Sequence, residues 1–287
     1  MKSFLKKIIL GVTFIGSQLH GAANSDYKIL AVPGQNGLGS NQYYVAQQIG
    51  VSPEKIVMVD IPTTQETIDL GQDNCIKYLE DCYQNAHAKS SDYIIHATSQ
   101  GTATALNFLA KNPEAQKNLK ALILEAPMAS GNSAIVHHAY QKVWLPDWLV
   151  QSTAPRLAKK FIFPAYDPAG MQAIKSIEKL TNKNILIILI HSIHDRCLPY
   201  AGACALYYGL KERGFNNVYF ITQQDSAAHI KIMRNSSVVL SILEKNGMVP
   251  TQSLVVNDVN NGPLTIHQPD HAQFKETYDA LIANEWA

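Results

Sequence analysis

The stretch Ile94-Ile95-His96-Ala97-Thr98-Ser99-Gln100-Gly101 passes from an apolar run directly into a helical run that begins at Thr102. A serine on such a tight strand-to-helix turn needs small residues two positions before and two positions after it, because these approach each other closely. Ala97 and Gly101 meet this need. The helix N-terminus behind Ser99 supplies free N–H groups and a positive dipole end, which suit a developing oxyanion. The stretch therefore predicts a nucleophilic serine, and the alternative is an ordinary turn with serine as N-cap.

Around this turn, short apolar runs rich in β-branched residues alternate with longer helical patterns. Strands are expected at 27–32, 55–59, 92–96, 120–125, 184–190 and 217–221. Helices are expected at 43–48, 73–88, 100–111, 167–180, 201–213 and 230–245. Near-continuous apolar strands are typical of a parallel sheet that helices cover on both faces. The alternation predicts an α/β protein with a doubly wound, mostly parallel sheet of about six strands.

Two further polar residues, an acid and then a histidine, follow later strands of the chain. Asp195 lies in the loop after the strand at 184–190, and His229 lies after the strand at 217–221, just before a helix. The order serine, acid, histidine resembles the α/β-hydrolase superfamily. The resemblance implies that fold, with Ser99, Asp195 and His229 as a catalytic triad at one edge of the sheet. Glu125 and Asp225 are alternative acids.

The segment Ala31-Val32-Pro33-Gly34-Gln35-Asn36-Gly37 follows the first strand and resembles the superfamily's oxyanion-hole loop. The resemblance implies that the backbone N–H groups of Gln35 and Gln100 stabilise the oxyanion, and a plain glycine-rich turn is the alternative. No metal or organic cofactor is expected. The cluster of His191, His194 and Asp195 lacks a clear fourth ligand for a metal.

An insertion at 128–166, here named the lid, separates two of the predicted strands. It contains Trp144 and Trp148, which we expect, together with His96 at the end of a strand, to line the substrate pocket. The lid either covers an apolar acyl pocket or packs on the sheet as ordinary core. An exposed apolar lid would favour lipid or long-chain esters, and a closed roof would favour small esters or peptides. A C-terminal extension at 246–287 carries apolar residues at helical spacing over 270–284, which predicts one more docked helix.

The N-terminal residues have the pattern of a secretory signal peptide at 1–23. Three lysines precede a nine-residue apolar run at 8–16, and small residues at 21–23 suit cleavage after Ala23. The apolar run is too short to span a bilayer, so we expect an exported, periplasmic or secreted protein without a stable membrane anchor. A retained amphipathic helix is the alternative. The remaining residues, 24–287, are expected to form a single domain.

Composition excludes two classes of protein. With 46% hydrophobic and 16% charged residues, the chain supports a sizeable core and is not intrinsically disordered in the main. A net charge of +1, with no dense basic stretch beyond the N-terminus, argues against a nucleic-acid partner. Removing the three N-terminal lysines leaves 21 positive groups against 23 negative ones, so the processed chain is slightly acidic.

Four cysteines would be exposed to an oxidising compartment after export. Cys75 and Cys82 lie two helical turns apart, which is too far for a disulfide in a continuous helix. Cys197 and Cys204 are the more plausible pair, and the alternative is that all four are buried thiols.

These patterns predict a serine hydrolase that cleaves an ester, thioester or amide bond of a small-molecule, acyl or peptidyl substrate. Two alternatives stay open at the level of sequence. One is a non-catalytic binding protein with the same fold, because fold alone does not imply activity. The other, within enzymes, is a serine peptidase or an acyltransferase. The sequence leaves the oligomeric state open.

Overall fold

The structure, a computed structural model, describes residues 27–35, 51–62, 64–86, 91–223, 229, 236–248, 264–267 and 274–283. Its centre is a seven-stranded sheet with the order β2-β1-β3-β4-β5-β6-β7. The strands are β1 (Lys28–Val32), β2 (Ile56–Met58), β3 (Tyr93–Thr98), β4 (Leu119–Glu125), β5 (Leu186–Ser192), β6 (Val218–Gln223) and β7 (Leu264–His267). The first six are parallel to their neighbours, and β7 runs antiparallel to β6. The predicted doubly wound, mostly parallel sheet is confirmed, with β7 as an additional edge strand.

Eight α-helices are described around this sheet. They are α1 (Asp73–Asn85), α2 (Gln100–Lys111), α3 (Gly131–Tyr140), α4 (Asp147–Phe161), α5 (Ala173–Ser176), α6 (Tyr200–Glu212), α7 (Ser236–Lys245) and α8 (Lys275–Ala283). Alternate residues of a strand point to opposite faces, which gives the sheet two apolar cores. Tyr93 and Ile95 of β3 pack in the core that contains α1, α2 and α6, and Ile94 packs in the core that contains α7. Full burial of each large aliphatic side chain stabilises the fold by about 1.5–3 kcal/mol.

Several predicted helices have other bounds in the structure. The helix expected at 167–180 is only α5, followed by a 3-10 turn at Ile177–Lys179. The N-H of Gly170 bonds the carbonyl of Asp167 at 2.9 Å, so a tight turn containing Pro168 occupies the start of that range. The helix expected at 43–48 and the first residues of the one expected at 230–245 lie outside the described residues.

The lid lies between β4 and β5 and consists mainly of α3 and α4, which pack on each other. In the C-terminal extension, α8 docks on α6, where the rings of Tyr208 and Tyr278 lie 5.3 Å apart. Among the described helices, none combines the length and apolarity that crossing a membrane requires. The signal peptide expected at 1–23 lies outside the described residues, so export stays a prediction.

All four cysteines are free thiols in the structure. Cys204 is buried on α6, within the core, whereas Cys197 is exposed in the loop before that helix. The pairing of Cys197 with Cys204 is therefore wrong, because helical packing turns one thiol inward while the loop leaves the other at the surface. Cys75 is buried and Cys82 is half-buried, so the alternative of four buried thiols holds only in part.

Candidate active site

Ser99 lies at the tip of the turn between β3 and α2, in a strained backbone conformation with φ 51° and ψ −125°. Few non-glycine residues adopt a positive φ, and such a residue costs on the order of 1–3 kcal/mol. Two hydrogen bonds hold the turn: the Ser99 N–H donates to the Glu125 carbonyl at 2.8 Å, and the Thr102 N–H donates to the Ser99 carbonyl at 2.9 Å. The turn therefore fixes the serine at the carboxyl edge of the sheet.

The residues that flank this turn leave no room for larger side chains. A Cβ atom on Gly101 would lie 2.4 Å from the Pro33 carbonyl oxygen and 2.5 Å from that of Val32. A Cβ atom on Gly34 would lie 2.9 Å from the Cβ of Ser99. The loop after β1 therefore packs directly against the serine, which explains why glycine occupies both positions.

The structure brings the three predicted residues into one hydrogen-bonded series. The Nε2 atom of His229 lies 2.7 Å from the Ser99 hydroxyl oxygen. Its Nδ1 atom lies 2.7 Å from the Oδ2 atom of Asp195. Ser99 and Asp195 stand 96 positions apart in the chain numbering, yet they meet because parallel strands all end at the same edge of the sheet.

The Asp195 carboxylate is buried and firmly held. Its Oδ1 atom accepts hydrogen bonds from the N–H groups of Cys197 at 2.7 Å and Leu198 at 3.1 Å. Burial works to raise the pKa of Asp195, but the hydrogen bond and charge of His229, with His191 and the Leu198 N–H, hold that pKa below its usual value. Asp195 is therefore an anion at neutral pH and faces the imidazole of His229.

His191 is a second histidine beside the acid, and the sequence analysis considered it only as part of a possible metal cluster. Its Nε2 atom lies 3.6 Å from the Oδ2 atom of Asp195, and both side chains are fully buried. Burial lowers the pKa of His191 to about 4, although the negative charge of Asp195 works against this shift. His191 is therefore neutral at pH 7 and places no positive charge beside Asp195.

The alternative acids differ from Asp195 in their placement. Glu125 is buried at the end of β4, and its main-chain carbonyl accepts the Ser99 N–H, whereas it is the carboxylate of Asp195 that bonds His229. Asp225 lies outside the described residues.

A cavity of about 860 Å³ opens over the serine. Ser99 and His229 lie at its base, together with Gly34, Gln35 and Gln100. Gln35 and Gln100, the residues expected to form the oxyanion hole, thus share the cavity with the serine hydroxyl. The side chain of Gln100 is held in place, because its Nε2 atom donates a hydrogen bond to the Cys75 sulfur at 3.0 Å.

The walls of this cavity come mostly from the lid. Apolar side chains of α3, α4 and their connection dominate the lining: Ile135, Ala139, Val143, Leu145, Val150, Ala154, Leu157, Ala158, Phe161, Ile162 and Phe163. The sequence left open whether the apolar lid covers a pocket or packs as core, and Val143, Leu145 and Val150 of the apolar stretch at 143–150 do line the cavity. A lining of this kind suits an apolar acyl group.

The three residues predicted to line the pocket are not among the residues that line this cavity. The side chains of Trp144 and Trp148 are 93% and 69% exposed, because they project outward from the connection and the start of α4. His96 is buried on β3, in the same side-chain alternation as Ile94, which faces the core that contains α7. This part of the site prediction is wrong.

Among the described residues, one group has donor atoms close enough to hold a metal ion. The ligand atoms of Asp195, Cys197 and His229 lie within 4.8 Å of one another. Two of the three, Asp195 and His229, already bond each other within the Ser99 series.

No protein-family model matches the chain, and no curated protein matches it. Several solved structures do match the chain. The esterase Pf2001 of Pyrococcus furiosus aligns with a TM-score of 0.51 at 15% identity, over 77% of this chain and 83% of its own. The acylaminoacyl peptidase of Pyrococcus horikoshii aligns with a TM-score of 0.54 at 13% identity, over 82% of this chain and 39% of its own. VinJ aligns with a TM-score of 0.51 at 11% identity, over 78% and 92%. The chain has the α/β-hydrolase fold.

Proposed function

We propose that this protein is a serine hydrolase that cleaves an acyl ester, thioester or amide through an acyl-enzyme on Ser99. The observation that carries the proposal is the continuous hydrogen-bonded series from the Ser99 hydroxyl through both ring nitrogens of His229 to Asp195, at 2.7 Å for each contact. This is the geometry that activates a serine as a nucleophile.

In the first step the Ser99 oxygen attacks the substrate carbonyl, while the Nε2 atom of His229 takes the hydroxyl proton. The contact of 2.7 Å between these atoms is within the distance that proton transfer requires. His229 then gives the proton to the leaving alcohol, thiol or amine, which departs and leaves the acyl group on Ser99.

Asp195 acts through His229. Its carboxylate accepts the Nδ1–H, so the neutral imidazole presents its unprotonated Nε2 atom to the serine. When the imidazole gains the serine proton, the same carboxylate stabilises the positive charge. The two backbone N–H groups on its other oxygen keep it in place throughout.

The developing oxyanion is stabilised by backbone N–H groups at the base of the cavity, which we assign to Gln100 and Gln35. Gln100 begins α2, so its N–H is one of the helix donors without an intrahelical partner. Water then attacks the acyl-enzyme, with His229 as general base, and releases the acid.

The apolar cavity supports an extended acyl chain as the preferred substrate group. Alkyl carbons would pack between α3 and α4, while the carbonyl carbon reaches Ser99. Burial of each methylene group contributes about 0.8 kcal/mol to binding, so selectivity should rise with chain length until the cavity is full.

The test is turnover of p-nitrophenyl esters from acetyl to palmitoyl, with aminoacyl p-nitroanilides as the peptidase arm. Ser99→Ala should lower kcat by about 10³-fold or more, because only oxyanion binding remains. Ser152→Ala is the matched control, since that exposed hydroxyl only donates to the Leu149 carbonyl within α4. Equal turnover in the wild type and in a folded Ser99→Ala variant would refute the proposal.

A further inference from the structure

The exposed large apolar side chains of the described residues are all in one short part of the chain. They are Tyr140, Val143, Trp144, Leu145, Trp148, Leu157, Phe161 and Ile162, all within the lid. Together they form a face that we name the lid surface. Soluble proteins seldom expose a contiguous apolar patch of this kind unless it binds a partner or a membrane.

The lid surface adjoins the cavity. Five of its residues, Val143, Leu145, Leu157, Phe161 and Ile162, are exposed and also line the cavity above Ser99. The remaining three, Tyr140, Trp144 and Trp148, are exposed and do not line the cavity. Whatever covers the lid surface therefore also covers the route to the serine.

The charges around this face are strongly biased toward cations. The lid holds four of the chain's 24 Lys and Arg residues but only one of its 23 Asp and Glu residues. The cations are Lys142, Arg156, Lys159 and Lys160, and all four are exposed. Lys159 pairs with Asp167 just outside the lid, at 3.2 Å. Lys160 lies over the ring of Phe161, with its ammonium nitrogen 5.1 Å from the ring centroid.

We propose that the lid surface docks on an anionic phospholipid bilayer. Tryptophan and tyrosine are favoured at the boundary between headgroups and acyl chains, and phenylalanine and leucine insert beyond it. Lysine and arginine side chains can lay their alkyl stems along apolar surface while their charged ends reach lipid phosphates. The lid carries both features, and they adjoin where Lys160 lies over Phe161 and where Lys142 lines the cavity beside the apolar residues.

The charge pattern disfavours a second copy of the chain as the occupant. In a two-fold symmetric dimer the same patch forms both sides of the interface. Two lid surfaces would therefore bring their cations together, with only Asp147 and the Asp167 that already pairs with Lys159 as nearby acids on each side. An anionic lipid surface neutralises these cations instead.

With the lid surface against the bilayer, the cavity would face the acyl-chain region of the membrane. An apolar acyl chain could then pass from the membrane to Ser99 without crossing water. The inference goes beyond the proposed hydrolase activity and does not depend on it, because adsorption to a bilayer requires no reaction at Ser99.

Tryptophan fluorescence tests the inference in the full chain. The protein has three tryptophans, and replacing the third with Trp286→Phe leaves Trp144 and Trp148 as the reporters. Residues 1–23 contain no tryptophan, so any membrane affinity of that segment does not itself generate the signal. Ser99→Ala is added to prevent lipid hydrolysis. Vesicles of phosphatidylcholine alone are compared with vesicles that also contain phosphatidylglycerol.

We expect a blue shift of the emission on the anionic vesicles and an affinity about tenfold or more above that for neutral vesicles. Adding Arg156→Glu and Lys160→Glu should remove this preference. The matched control is Lys77→Glu with Lys117→Glu, two exposed lysines outside the lid with the same change in net charge. No blue shift on anionic vesicles, or a blue shift without vesicles that disappears on dilution, would overturn the proposal; the second result would indicate self-association through the lid.

Discussion

The carboxyl edge of the sheet and the lid meet at the same cavity, but they are built in opposite ways. At the edge, Asp195 and His191 are fully buried, and Ser99 is held by its strained turn. In the lid, apolar side chains as large as Trp144 are almost fully exposed. The edge holds the polar atoms of Ser99, His229 and Asp195 within hydrogen-bond distance of one another, whereas the lid exposes apolar surface to solvent.

This contrast suggests a division of roles. Catalysis gains most from groups that need no rearrangement in the transition state, and buried, hydrogen-bonded side chains at strand ends supply them. Selection of the substrate gains from a large apolar surface beside the entrance. Changes at the edge should therefore alter the rate of the chemical step. Changes in the lid should alter which substrates are used and whether the protein binds a membrane.

The largest effect is expected at the acid. Asp195→Asn removes the charge that stabilises the protonated imidazole and favours the wrong tautomer of His229, so kcat should fall by about 10⁴-fold. The matched variant is Glu125→Gln, which alters the alternative acid and should change kcat by less than about threefold. Steady-state kinetics on one soluble ester measures both. A larger loss in Glu125→Gln than in Asp195→Asn would reassign the acid.

The expectation that Ser99, Asp195 and His229 lie together at this edge, where the structure places them, has a physical basis. A serine on a turn between strand and helix needs small neighbouring residues, which the sequence shows. The ends of parallel strands lie at the same edge of the sheet, so the order of Ser99, Asp195 and His229 after their strands was enough to predict that they lie together. The sequence grouped His191 with Asp195 only as a possible metal cluster, and the direct contact of their side chains at 3.6 Å was not predictable, because it depends on the path of a loop.

The lid is where sequence reasoning failed. An apolar residue in an insertion can face a pocket, a core or solvent, and composition does not distinguish the three. Trp144 and Trp148 were expected inside the pocket and lie outside it. The strand β7 was also missed, since four residues in a C-terminal extension carry too little periodicity to identify a strand.

The second largest effect concerns stability toward acid. Burial lowers the pKa of His96 to about 3 and that of His191 to about 4, against an ordinary value of 6.5. Below pH 6.5 the unfolded chain gains protons that the folded chain does not, so the free energy of unfolding falls as the pH falls toward 4. The loss should be about 2 kcal/mol for each histidine between pH 7.5 and pH 5.

Urea unfolding at these two pH values measures the loss. Because His191 is one of these two buried histidines, His191→Asn should reduce the difference in the free energy of unfolding between pH 7.5 and pH 5. His138→Asn, which replaces an exposed histidine of the lid, is the matched control. Equal free energies of unfolding at pH 7.5 and pH 5 in the wild type would contradict the assignment of buried neutral histidines.

The smallest effect is expected for a change of the cavity wall. Ala154 lines the cavity on α4, and Ala154→Phe would fill part of the space beside the acyl chain. We expect kcat/KM for a long-chain ester to fall by about tenfold relative to an acetyl ester, which corresponds to one or two excluded methylene groups. Parallel kinetics on the two esters measures this ratio. An unchanged ratio would place the acyl chain elsewhere.

The central claim is that Ser99 is a nucleophile activated by His229. A fluorophosphonate probe reacts with such a serine, and mass spectrometry of the digested protein locates the adduct. The account predicts a single adduct on Ser99 in the wild type and almost none in a folded His229→Ala variant. An unlabelled wild-type protein, or an adduct on any other residue, would contradict it.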